Sequence, residues 1–414
     1  MRRIKQSPSI QVAILFAVSV FCATADANIK PLDSAFNALV DNGDIPGAVI
    51  LVQHQGDLIH EGVYGLQDVE FSKPMQKDTI FRIASQTKAV VSVAVMMLQE
   101  DGQLLIDEPV GNYIPEYLQT VVSVDPASND GVATIAANRP ITIRDLLTHT
   151  AGIDYGGTFR TRDGLDPWGE AGIQGWYFAH RTEPILETIK KIGGLPHAAQ
   201  PGEQFVYGYN TDILGALVEV VSGESLESFL ENRIFAPLNM SDTHFYLPKN
   251  KRHRLATVYG LKDGKLSRAP NESTMTGQGG YIDGPRTSFS GGAGLLSTAS
   301  DYLKFLTMMH DEGTVNGQKI LSRKTIELMT VDHLGDIPFS PGSGFGLGFR
   351  ILKDIGRAGV PGSVGAYSWG GAYHTTYWVD PTEQLIVTYM TQVIPAGGLR
   401  DHAMLNTLVY QHLK

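Results

Sequence analysis

The segment Ser85–Lys88 (SQTK) places a hydroxyl and an amine where one can activate the other. The apolar run Ala89–Leu98 that follows predicts a buried helix, with Gly102 as its stop signal. Residues three apart share one face of a helix, so Ser85 Oγ and Lys88 Nζ can meet. The free N–H groups of a first helical turn favour an oxyanion, and burial of the amine favours its neutral, basic form. The segment therefore indicates an activated serine nucleophile, although a helix cap followed by a surface lysine gives the same pattern.

Two later segments could complete such a site. In the segment 201–210 (PGEQFVYGYN), Tyr207 lies on a turn before a predicted helix, where its phenol could act as acid or base beside a lysine. In the segment 369–372 (WGGA), paired glycines mark a strand that another group approaches closely, and a backbone N–H there could form an oxyanion hole with that of Ser85. A tyrosine packed by its ring and a β-bulge around a tryptophan are the alternatives.

A histidine offers a different base for the same serine. His149 lies at the end of a predicted helix, and a Ser-His-Asp triad with Ser85 is the alternative arrangement. Because Lys88 is already beside Ser85, a hydrogen-bonded structural role for His149 is favoured. The chain contains no Gly-x-Ser-x-Gly, His-Glu-x-x-His, Cys-x-x-Cys or P-loop motif, so the sequence supports neither metal nor nucleotide chemistry and no cofactor is expected.

Strand patterns at both ends of the chain, with helical patterns between them, predict how such residues are positioned. They favour an α+β fold in which one sheet is built from both termini around a mainly helical insertion. We expect the α/β part at about 28–80 and 291–414, and the helical part at about 81–290. The predicted helices are 143–148, 183–192, 211–221, 225–233, 300–310, 322–329 and 398–413, and the predicted strands are 48–53, 58–64, 346–352, 364–368, 375–379 and 385–390.

The first 27 residues have the features of a secretory signal peptide. Basic residues precede a short apolar segment, and small-residue cleavage sites end at Ala25 and Ala27. This predicts an exported protein, periplasmic or secreted, with no stable membrane anchor after cleavage. Since the single cysteine, Cys22, lies inside the leader, the mature chain would have neither disulfides nor thiol chemistry.

The composition limits the partners. The 414 residues carry a net charge of −10, and phosphate backbones require clustered lysine and arginine, so nucleic acid is not an expected partner. The expected partner is a small-molecule substrate, and nothing in the sequence indicates an oligomeric state.

Three ordered segments carry a family resemblance. They are Phe81–Lys88 (FRIASQTK), Ile141–Gly152 (ITIRDLLTHTAG) and Gly291–Asp301 (GGAGLLSTASD). Together they resemble the serine β-lactamase and penicillin-binding-protein superfamily, in its class C-like branch, and within it the bacterial carboxylesterases with a β-lactamase fold. The resemblance covers essentially the whole mature chain and implies a transpeptidase-like fold.

The resemblance also implies roles for individual residues. Ser85 would be the acylating nucleophile, Lys88 the base or proton relay, and Tyr207 the partner that protonates the leaving group. The family motif is Tyr-x-Asn, whereas here the asparagine comes one residue later, so Tyr209 remains an alternative to Tyr207. The N–H groups of Ser85 and Ala372 would form the oxyanion hole.

The segment Trp369-Gly370-Gly371 stands where β-lactamases and penicillin-binding proteins have Lys-Thr-Gly, which binds a substrate carboxylate. Losing such a charge-assisted contact costs about 1.5–3 kcal/mol. We therefore predict a carboxylesterase for small uncharged acyl esters, with Trp369, Gly370 and Gly371 beside the substrate. The aromatic-rich stretch 155–177 is expected either to line an acyl or alcohol pocket or to pack as an insertion loop; its members are Tyr155, Phe159, Trp168 and Trp176.

Other members of the same superfamily define the alternatives. The chain could be a D-aminopeptidase, a D-Ala-D-Ala carboxypeptidase or a class C-like β-lactamase. A β-lactam-binding or sensor protein that is acylated without turnover is a third alternative. The complete set of Ser85, Lys88 and Tyr207 argues against the sensor.

Overall fold

A computed structural model describes residues 28–124, 133–156, 167–173, 175–315 and 317–413. The predicted leader with Cys22 and both cleavage sites lies outside the described residues, as does Phe159. No helix within the described ranges has both the length and the apolar character needed to cross a membrane.

Strands dominate both ends of the described chain, and most of the helices lie between them. The α-helices are α1 (Lys30–Asp41), α2 (Thr87–Glu100), α3 (Ile143–Leu147), α4 (Pro167–Glu170), α5 (Ile185–Gly193), α6 (Asn210–Ser222), α7 (Leu226–Leu230), α8 (Ala299–His310), α9 (Arg323–Met329), α10 (Ile355–Ala358) and α11 (Asp401–His412). The strands are β1 (Gly47–His54), β2 (Asp57–Asp68), β3 (Lys73–Pro74), β4 (Phe81–Arg82), β5 (Val121–Ser123), β6 (Thr134–Ala136), β7 (Tyr259–Lys262), β8 (Lys265–Arg268), β9 (Leu296–Ser297), β10 (Thr314–Val315), β11 (Gln318–Lys319), β12 (Ser343–Phe345), β13 (Arg350–Leu352), β14 (Tyr367–Gly371), β15 (Thr375–Asp380) and β16 (Leu385–Met390).

The main sheet joins the two ends of the chain. Its eight strands lie in the order β12-β13-β14-β15-β16-β1-β2-β3, and the pairs of β1 and of β12 to β16 are antiparallel. Strand β1 pairs with β2 on one side and with β16 on the other, where Val49 lies opposite Met390. The α+β architecture predicted from the sequence is confirmed.

Alternation along β1 explains why the sheet has a core on each face. Val49 and Leu51 pack into the large core shared with α2 and the helical insertion. Ala48, Ile50 and Val52 point the other way, into a smaller core with the terminal helices α1 and α11. A strand buried on both faces reads as a continuous apolar run, as it does here.

Most predicted elements occur within a few residues of their expected bounds, and one is divided. The predicted strand 346–352 contains a tight turn, 346–349, and then β13, whereas its hairpin partner β12 lies just before it. Gly348 in this turn has a φ of +95°, and a side chain there would collide with Ser92 on α2. The apolar pattern spans the turn because the turn itself packs against the helix that follows the nucleophile.

Buried His197 predicts a loss of stability in acid. Its Nε2 lies 3.3 Å from the Ile192 carbonyl oxygen, and burial lowers the pKa of His197 to about 4. The unfolded chain therefore takes up this proton first, so stability is complete above about pH 6.5 and is lost as the pH falls towards 4, by about 3 kcal/mol. We expect urea unfolding of His197→Gln to show a smaller loss between pH 7 and pH 4 than the wild type.

The exposed His253 provides the matched control for this prediction. His253→Gln should keep the full pH dependence of the wild type. Equal pH dependence of unfolding in the wild type and His197→Gln would contradict the assignment to His197.

Candidate active site

Ser85 lies in a strained turn at the start of α2. It is the middle residue of a 3₁₀ turn, Ala84–Gln86, that leads directly into the helix. Ala84 has a φ of +40°, a left-handed conformation that residues with a Cβ rarely adopt. The preceding strand β4 pairs with β9, and Ile83 N donates to the Leu295 carbonyl at 3.1 Å, so the turn is held from the side. Strain retained in this way is typical of functional positions.

Lys88 is one turn further along α2 and faces Ser85, as the sequence predicts. Its Nζ donates to Ser85 Oγ at 3.3 Å, to the Tyr155 hydroxyl at 3.1 Å and to the Gly292 carbonyl at 2.7 Å. The side chain is buried. Three oxygens thus fix the amine beside the hydroxyl, in the geometry required of a base that activates a serine.

Tyr155, which the sequence suggests only as a pocket residue, contacts the lysine directly. Burial raises the pKa of Tyr155 well above its ordinary value, and a hydrogen bond to the Tyr207 hydroxyl adds to the rise. The Tyr155 and Tyr207 rings meet edge to face, 5.9 Å between centroids. Tyr155 is therefore a neutral phenol that links Lys88 to Tyr207.

Tyr207, rather than Tyr209, faces the nucleophile. Lys88 Nζ lies 4.7 Å from the centre of the Tyr207 ring, and the Tyr207 hydroxyl accepts a hydrogen bond from Trp369 Nε1 at 3.1 Å. Tyr209 is fully buried and donates to the Gly175 carbonyl at 2.6 Å. Within the described ranges, the Tyr207 hydroxyl has no hydrogen bond in which it is the donor.

His149 has the structural role that the sequence favours. Its Nδ1 accepts a hydrogen bond from Asn210 Nδ2 at 3.0 Å, and its ring packs 4.7 Å from that of Tyr207. Burial, followed by the nearby Lys88 charge, holds the pKa of His149 well below its ordinary value. A neutral imidazole that accepts from Asn210 supports the Tyr207 ring.

The end of β14 lies against the nucleophile turn. Gly370 pairs with Thr376 and Gly371 with Thr375, and a side chain at Gly371 would collide with the Ile83 carbonyl. Only a glycine lets this strand approach so closely. Ala372 comes next and lines the same cavity as Ser85, so the two residues named for an oxyanion hole border one space.

Asp212, a buried carboxylate that the sequence analysis did not identify, contacts Lys88 indirectly, through Gly292. Asp212 Oδ1 accepts hydrogen bonds from Ser290 Oγ at 2.5 Å and from Gly292 N at 3.0 Å. The Gly292 carbonyl in turn accepts from Lys88. Burial raises the pKa of Asp212, while the Lys88 charge opposes the rise. A lone aspartate early in an apolar helix gives no sequence signal for this contact.

The cavity around Ser85 has a volume of about 490 Å³ and is lined by aromatic and strand residues. Tyr155, Tyr207, Trp176 and the segment 369–372 all border it. Trp168 does not. It is fully buried and its ring stacks on Tyr209 at 5.7 Å, so the expectation that it lines the pocket is wrong, because a ring covered on all sides by core residues cannot reach the cleft.

A His-Asp-His group lies at one end of this cavity. His374, Asp401 and His402 offer ligand atoms within 4.8 Å of one another, so these residues could hold a metal ion. His374 Nε2 lies 2.7 Å from Asp401 Oδ1, the two imidazoles stack at 4.1 Å, and the Tyr389 hydroxyl donates to Asp401 Oδ2 at 2.6 Å. Hydrogen bonding of this kind ties α11 to the turn after β14.

Known proteins resemble this chain in sequence and in fold. A family profile described as Beta-lactamase matches residues 32–410. An uncharacterized protein of Mycobacterium tuberculosis is 33% identical over 388 residues, covering 89% of this chain and 91% of its own. Esterase EstB of Burkholderia gladioli is 29% identical over 394 residues, covering 92% and 94%. The solved structure of EstCE1, a hydrolase with promiscuous acyltransferase activity, is 28% identical, with a TM-score of 0.75 over 92% of this chain and 98% of that one.

Proposed function

The chain belongs to the β-lactamase family, and we propose that it is a carboxylesterase that hydrolyses esters with small uncharged acyl groups through an acyl-enzyme on Ser85. The observation that carries the proposal is the set of Lys88 contacts: hydrogen bonds to Ser85 Oγ and the Tyr155 hydroxyl, and a ring contact with Tyr207. The similarity to the esterase EstB supports an ester substrate over a β-lactam.

Acylation begins when Lys88, in its deprotonated form, takes the proton of Ser85 Oγ through its free lone pair. Oγ then bonds to the carbonyl carbon of the ester, and the resulting oxyanion takes hydrogen bonds from the N–H groups of Ser85 and Ala372. The ester C–O bond breaks and the leaving alcohol receives the proton of Tyr207, which is replenished from Lys88 through Tyr155. Water attacks the acyl-enzyme by the reverse sequence and releases the acid.

The surroundings of Trp369 favour an uncharged group of the substrate near the scissile bond. Its indole N–H is occupied by the Tyr207 hydroxyl, and its ring packs against Phe345 at 5.2 Å. Residues 369 and 370 therefore offer an apolar wall where a carboxylate-binding member of the family would offer charge. An anion beside this wall would lose its hydration without compensation.

The test is the hydrolysis of p-nitrophenyl butyrate and of nitrocefin, measured side by side with the wild-type protein. We expect steady turnover of the ester, with nitrocefin slow or unreacted. A larger kcat/KM for nitrocefin would contradict the esterase proposal and the argument from Trp369. A burst of one acyl group per protein without steady turnover would point to a binding protein instead.

The Tyr155 hydroxyl provides a second prediction for the same assay. Tyr155→Phe removes the phenol that joins Lys88 to Tyr207, and we expect kcat for p-nitrophenyl butyrate to fall about 100-fold. Tyr209→Phe removes the same atom from a core tyrosine and should cost about 1 kcal/mol of stability with little change in kcat. Equal effects of the two substitutions on kcat would contradict the role assigned to Tyr155.

A further inference from the structure

Part of β14 has no neighbouring strand on the side that faces the cleft. Strand β13 pairs with β14 only through Arg350 opposite Ser368 and Ile351 opposite Tyr367. The following segment, 369–371, is paired with β15 alone on its other side. This unpaired edge borders the Ser85 cavity, and Arg350 stands at the point where the pairing with β13 ends.

Arg350 is a guanidinium without an acidic partner. Its Nε donates to Ser343 Oγ at 2.9 Å, and within the described ranges neither of its terminal nitrogens has an acceptor. It makes no ion pair there, whereas Arg139, Arg254 and Arg268 each bind a carboxylate. The side chain is partly buried, and this burial lowers the pKa of Arg350. A half-buried, uncompensated arginine is costly unless a ligand pairs with it.

The space beyond Arg350 is shaped for a molecule larger than a small acyl group. A second cavity of about 290 Å³ adjoins the first, and Arg350, Ser368, Thr376 and His402 line both. None of the described residues that line these two cavities is acidic. The combined cleft therefore continues from Ser85 past the guanidinium into a partly apolar recess.

The two ends of the cleft differ in charge. Trp176 lies at one end, where its ring meets that of Tyr373, directly after Ala372, at 5.7 Å. Arg350 lies at the other end, on the far side of Trp369. Because the scissile carbonyl must sit between Ser85 and Ala372, the two halves of an ester must extend towards opposite ends. The Tyr207 hydroxyl, which protonates the alcohol, is hydrogen-bonded to Trp369. Trp369 directly follows the strand partner of Arg350, so the alcohol half extends towards the Arg350 end.

We infer that Arg350 is a specificity-determining residue that binds a carboxylate on the alcohol half of the ester, so that the substrates are acyl esters of hydroxy acids. The inference rests on the proposed esterase function and narrows its substrate class. The planar guanidinium presents paired N–H donors that match the two oxygens of a carboxylate. Trp369 excludes an anion next to the scissile bond, and Arg350 accepts one further along.

The experiment compares two aryl esters that differ only in this charge: the butyrate ester of 4-hydroxybenzoate and that of methyl 4-hydroxybenzoate. Phenol release is measured for the wild type and for Arg350→Gln. We expect the substitution to lower kcat/KM about 10- to 100-fold for the charged ester and less than about twofold for the neutral one. Because each ester is compared with itself across the two proteins, the different reactivity of the two leaving groups cancels.

Ser343→Ala serves as the matched control, since it removes the hydrogen-bond partner of Arg350 but keeps the charge. It should retain most of the preference for the charged ester. An equal effect of Arg350→Gln on both esters, or none on either, would overturn the inference while leaving the esterase proposal intact. Loss of the proposed function itself would be recognised separately, by the absence of Ser85-dependent hydrolysis of the neutral ester.

Discussion

Ser85→Ala is expected to lower kcat for p-nitrophenyl butyrate about 10⁴-fold or more. The substitution removes the only atom that forms the covalent acyl-enzyme, and no second hydroxyl of the described residues lies within hydrogen-bonding distance of Lys88 except the phenol of Tyr155. Ser85 is partly exposed at the cavity, so the change should leave the melting temperature nearly unaffected. Initial rates and thermal unfolding of the purified variant measure both quantities.

A second serine on α2 supplies the control. Ser92 is buried against the turn at Gly348 and lies two turns beyond the nucleophile. Ser92→Ala should keep kcat within a few-fold of the wild type. A fluorophosphonate probe should label the wild type and Ser92→Ala on Ser85, and should not label Ser85→Ala. Full ester turnover by Ser85→Ala would show that the nucleophile lies elsewhere.

Lys88 is expected to have the second largest effect. Lys88→Met removes the amine that accepts the Ser85 proton, and we expect kcat to fall about 10³-fold. Lys88→Arg keeps a positive charge but cannot lose its proton at neutral pH, so it should be similarly inactive. Comparison of the two variants therefore separates the action of a base from that of a charge.

Lys304 offers a control for the loss of a lysine from a helix. Its Nζ pairs with Asp301 at 2.8 Å at the surface of α8. Lys304→Met should change kcat less than about twofold, because Lys304 pairs with the buried Asp301 and does not line the Ser85 cavity. Activity of Lys88→Arg close to that of the wild type would reject Lys88 as the base.

Local patterns carried much of the fold prediction. The apolar run after Ser85 predicts α2, and the Gly56-Asp57 turn predicts the β1–β2 hairpin, because each pattern depends on residues close in sequence. The same holds for the Ser85–Lys88 contact, which a single helical turn produces. The pairing of strands from opposite ends of the chain followed from the order of the elements.

Residues that act through long-range contacts gave no comparable signal. Tyr155 lines the cavity, as the sequence predicts, but its hydrogen bond with Lys88 was not predicted, because it joins residues far apart in the chain. Asp212 and Arg350 are single charged residues in apolar segments, and their meaning depends on neighbours far along the chain. Trp168 was misplaced for the opposite reason: an aromatic-rich loop gives no indication of which of its rings turn into the core.

The contact between Gly371 and the Ile83 carbonyl bears on when the active site forms during folding. The nucleophile turn follows the hairpin near the start of the chain, and the strand that packs against it comes near the end, beside the strand that pairs with β1. Such contacts close very long loops, which makes them slow to form. A nascent or truncated chain lacking residues 367–390 leaves one edge of β1 unpaired and Ser85 without its neighbouring strand. The rate at which ester hydrolysis appears during refolding would therefore report the rate at which the two chain ends pack together.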